Sequence, residues 1–86
     1  MPEISRFFGI IIYIYYNEHQ PAHFHAVYGE YEALIMIDTL SILSGHLPAR
    51  ALGLVMEWAS LHQEELRAIW NQAIHHEKLE KIDPLQ

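Results

Sequence analysis

Eighty-six residues, 51% hydrophobic and 19% charged, describe one folded domain with no room for a second core. The chain has no cysteine, which excludes disulfides and thiolate zinc sites. Five Lys and Arg against eleven Asp and Glu give a formal charge of −6, so the basic face of a phosphate-tracking protein is missing and nucleic acid is not the expected ligand of the isolated chain.

The first element is a strand over about 6–16, "RFFGIIIYIYY". Its β-branched and aromatic residues lack polar alternation, as in a central strand covered on both faces or a self-pairing strand, and Gly9 suggests a bulge or a close backbone approach. The apolar run from Phe7 to Tyr16 is too short and too rich in tyrosine to span a bilayer. With no basic region before it, the chain reads as cytoplasmic, with no membrane partner. "NEHQPA" is a loop, and "HFHAVY" a second strand over 23–28. Gly29-Glu30 predicts a tight turn of type II′ into a third strand over 31–38, and a short fourth strand follows over 41–44. Pro48 suits the first position of a helix. Apolar residues Leu52, Val55, Ala59, Leu66, Ile69 and Ala73 then recur at helical spacing, predicting one helix over about 48–76. Residues 77–86 form an extended tail, with Pro84 barring further helix. The expected architecture is α+β, a single domain over 1–86: a small antiparallel sheet of three to four strands with one long C-terminal helix packed across it.

His23 and His25 carry the chemistry. Period-two alternation puts both on one strand face, with Cα atoms roughly 6–7 Å apart. His19, four residues before His23 across the proline-containing loop, is the candidate third metal ligand. Three imidazoles with an open position suit catalytic zinc or another divalent transition metal. His62 continues the helix stripe between Ala59 and Leu66. A helix lying on the histidine face would bring it to the pair, and His23, His25 and His62 would then be candidate catalytic groups exchanging protons with a phosphodiester. Arg6 and Arg50 are the candidate phosphate-holding cations. The plainer alternative leaves one histidine buried with its own hydrogen-bond partner and the other solvated. The alternating histidine triad of nucleotide hydrolases is broken, because Val27 stands where the third histidine would fall.

The stretches "ISRFFGI", "HQPAHFHAVYGEYEA", "LPARAL", "EWASLHQEEL" and "KIDPL" resemble a bacterial family of uncharacterised proteins, domain of unknown function 4160. The resemblance runs from Ile4 to Leu85, and Ala22 replaces a second proline that the family more often shows. It implies a gene next to one for another small family, domain of unknown function 2442, in pairs assigned to toxin–antitoxin systems on gene arrangement. It therefore implies a small cognate protein partner, the neighbouring gene's product, and carries over no reaction. The expectation is a protein-binding module, with self-association into a homo-oligomer as a variant. The rival is a histidine-dependent phosphodiesterase or ribonuclease toxin, with or without a metal.

Overall fold

A computed structural model describes residues 3–86. Its sheet has five antiparallel strands: β1 Glu3–Phe7, β2 Ile10–Tyr13, β3 His23–Tyr28, β4 Tyr31–Met36 and β5 Ile42–Gly45. They lie in sequence order, each pairing with the next.

The strand expected over 6–16 is a hairpin. Phe7 pairs with Ile10, and between them Phe8 (φ 50°) and Gly9 (φ 79°) both take positive φ. That is the type I′ pattern, whose twist suits two antiparallel strands. Gly9 thus marks the turn itself, while the irregularity in the β1–β2 ladder falls between Glu3 and Ser5. Phe8, 61% exposed, adopts a conformation disfavoured for bulky side chains. The second hairpin follows expectation. Tyr28 pairs with Tyr31, and of Gly29 and Glu30 only the glycine takes positive φ (58°), as a II′ turn requires.

The expected single helix is two: α1 Ala49–Leu61 and α2 Gln63–Ile74, broken at His62 (φ −128°, ψ 24°). Pro48 (φ −56°, ψ 150°) sits just outside α1. No helix-breaking residue marks the break, and tertiary bonds hold it. The Gln63 amide donates to the carbonyls of Ile37 (2.8 Å) and Asp38 (3.3 Å), and Arg67 donates to the Asp38 carboxylate (2.9 Å). Glu64 and Glu65 occupy the first turn of α2, where carboxylates complement the positive end of the helix dipole. Neither helix is long and apolar enough to cross a membrane.

Alternation gives the sheet two faces. Ile10, Ile12, Phe24, Ala26, Ala33 and Ile35 line the core face and are buried. Trp58 of α1 packs on that face, against Phe7 (5.3 Å between ring centroids) and Phe24 (6.0 Å). Its indole N–H donates to the Asp83 carbonyl (2.9 Å), and the Ile82 N–H donates to the Ile4 carbonyl (2.8 Å). The tail has neither helix nor strand and clasps α1 to β1. At the other edge Gly45 takes φ 86°, and a Cβ there would lie 2.2 Å from the Glu32 carbonyl oxygen. Only glycine lets β5 come this close to β4.

Candidate functional site

The face opposite Trp58 carries His23 and His25, both buried at 4% and 9% exposure. Their rings are 5.3 Å apart between centroids. They have common surroundings, and the Glu18 carboxylate faces both. Tyr15 stands edge-on to His25 (4.6 Å), and Trp70 of α2 lies against His23 (5.3 Å). The geometric expectation drawn from "HFH" therefore holds: the imidazoles project together.

The hydrogen bonds orient each ring. His23 Nδ1–H donates to the Pro21 carbonyl at 2.8 Å, just before the strand begins. That bond leaves the His23 Nε2 lone pair facing Glu18 Oε2 at 3.6 Å, too long for a hydrogen bond, and this buried nitrogen has no partner. His25 Nδ1 lies 2.8 Å from Glu32 Oε2, and its Nε2 lies 2.5 Å from Glu18 Oε1. Glu32 pairs with Val27 across the β3–β4 ladder, which makes it a same-face diagonal neighbour of His25. A neutral imidazole has one N–H and can satisfy one of these two carboxylates. The second contact needs another proton or a cation between nitrogen and oxygen.

Two carboxylates, Glu18 and Glu32, flank the pair. Burial raises the Tyr15 hydroxyl above the ordinary tyrosine range, and the charges of Glu32 and Glu18 push it the same way. One oxygen of Glu18 and one nitrogen from each of His23 and His25 lie within 4.8 Å of one another.

The other expected site residues fall elsewhere. His19 is exposed beside Glu18 and does not join this group, so the third member is a carboxylate. His62 caps the helix break, with Nδ1 2.6 Å from Glu65 Oε1 and its ring against Trp58 (5.5 Å). It does not meet His23 and His25, because α1 covers the opposite sheet face. Arg6 holds Glu3 (2.9 Å) at the exposed first strand, a bond that lowers the Glu3 carboxyl and raises the arginine. Arg50 lines a groove of about 270 Å³ with Phe8, Tyr28 and Leu54. Neither arginine hydrogen-bonds a member of the histidine cluster.

The family model described as domain of unknown function 4160 matches residues 9–71, well over half of the chain. The chain belongs to this family. No curated protein and no solved structure matches it. The stretch matched by the domain of unknown function 4160 model takes in Glu18, His23, His25, Glu32 and both sides of the helix break, while β1 and the tail clasp lie outside it. Sequence reasoning missed Glu18 and Glu32, each seven residues from His25. Glu32 was within reach, since a II′ turn at Gly29-Glu30 fixes the register that sets it diagonal to His25. Glu18 lies in an irregular loop, where no periodicity predicts direction.

Proposed function

We propose that this protein is a partner-binding module whose β5 edge accepts a strand from a small cognate protein, in the manner of one half of a toxin–antitoxin-like pair. The observation that carries the reading is the contrast between the two sheet edges. β1 bears the Glu3–Arg6 ion pair, and its Ile4 carbonyl is taken by the tail. Charge and cover of this kind blunt an edge against pairing. β5 has neither. Its sequence, "ILSG", contains no charge and no proline, and Ile42 and Leu43 are each 43% exposed, one on either face. An uncharged edge with free backbone groups is the template for strand addition, in which main-chain bonds supply affinity and alternate side chains supply selectivity. The rival phosphodiesterase reading has less support, because two carboxylates flank the histidines and no arginine joins them.

Co-expression with the neighbouring gene's product tests the module. The two chains should co-purify, and Leu43→Lys should weaken the complex by at least about tenfold, the scale of a charge set against a strand interface. A wild-type chain that elutes alone and monomeric defeats the proposal. A dimer of this chain that Leu43→Lys returns to monomer would make a second copy the occupant of the same edge and would remove the cognate partner.

A further inference from the structure

The geometry points to a binding site for one divalent transition metal of the zinc class, held by Glu18, His23 and His25. It does not depend on what β5 binds. Three features converge on it. The first is the donor set, two imidazole nitrogens and one carboxylate oxygen within 4.8 Å of one another. Zinc takes such ligands at about 2.0–2.2 Å, which sets tetrahedral donors about 3.3–3.6 Å apart, so the His25–Glu18 contact must open from 2.5 Å while any wider pair closes to that separation. Glu18, on a loop and partly exposed, is free to supply that movement.

The second feature is the bonding behind each imidazole. Metal-ligating histidines donate their other N–H to a carboxylate or a backbone carbonyl, which fixes the tautomer and aims the lone pair. Both forms are present: His23 Nδ1 on the Pro21 carbonyl and His25 Nδ1 on Glu32, each at 2.8 Å. Both Nε2 atoms are thereby turned toward Glu18.

The third is the unpartnered His23 Nε2, buried with its residue only 4% exposed. A buried nitrogen without a partner is destabilising by about 1–3 kcal/mol. A cation would coordinate it and at the same time stand between His25 Nε2 and the Glu18 carboxylate. Neutral imidazoles favour zinc, cobalt, nickel or iron over calcium and magnesium, which seek oxygen ligands. Three protein ligands leave one tetrahedral position for water or an external ligand, the arrangement of a reactive rather than a purely structural centre.

Titration of the full chain, without a histidine tag and stripped with chelator, decides the matter. Zn²⁺ by calorimetry and Co²⁺ by visible absorption should each end at one equivalent, with the strong cobalt bands of a tetrahedral site. Losing a bond behind a ligand typically weakens metal binding 10–100-fold, so Glu32→Ala should fall in that range and Glu18→Gln at least about 100-fold. His62→Ala should bind as the parent does. An endpoint far below one equivalent overturns the proposal, and so does a Glu18→Gln chain with parental affinity and spectrum. His25→Gln should also lose binding. Should it fail to fold by circular dichroism, the loop variant Glu18→Gln settles the question alone.

Discussion

Trp58→Ala should destabilise the protein by about 3–5 kcal/mol, the usual cost of emptying a buried aromatic site. At roughly 0.05–0.15 kcal/mol per residue, a domain of this length holds about 4–13 kcal/mol in all, so the variant gives up a large share of the total. The size of the effect follows from position. Trp58 has no exposed surface, wedges between Phe7 and Phe24, and holds the tail through Asp83. Trp58→Phe keeps most of the volume and loses the hydrogen bond, so it should cost only about 1–2 kcal/mol. Urea denaturation of the three proteins gives the ordering, and a loss below 1 kcal/mol for the alanine variant would show that Trp58 does not hold the core.

Gly45→Ala carries the second large effect. The new methyl carbon would stand 2.2 Å from the Glu32 carbonyl oxygen and 3.0 Å from the Ala33 Cα, in a backbone conformation that L side chains rarely adopt. Both neighbours are backbone, so relief requires parting β5 from β4. Strain and overpacking together should cost about 3 kcal/mol. Glu32 also braces His25, so the damage should reach the histidine cluster. Amide exchange should quicken across β4 and β5, and a variant as protected as the parent would refute the close-approach argument.

Much of this was visible in the residues. "HFHAVY", Gly29-Glu30 and "YEALIM" specify a hairpin because alternation and turn chemistry agree, and the shared face of His23 and His25 followed from period two alone. The first hairpin was hidden by "RFFGIIIYIYY", since an unbroken apolar run conceals a turn whose first position is Phe rather than Asn or Asp. The helix break was hidden because its cause is distant: Gln63 bonds carbonyls some 26 residues away. The one local hint was the acidic pair Glu64-Glu65, typical of a helix beginning rather than a helix middle. That break, with α1 on the Phe24 face, removed His62 from the cluster. Glu18 took the place foreseen for His19 because a loop residue's direction is decided by the tertiary structure.

The meander has a consequence for how the molecule assembles. Every strand pair joins sequence neighbours, so each ladder closes over a short span and loses little chain entropy in doing so. The clasp between Ile4 and Ile82 is the opposite case, joining segments separated by nearly the full length. Zippering from any one of the four hairpins can therefore precede it, and pulse-labelled refolding should find the Ile82 amide among the last to become protected.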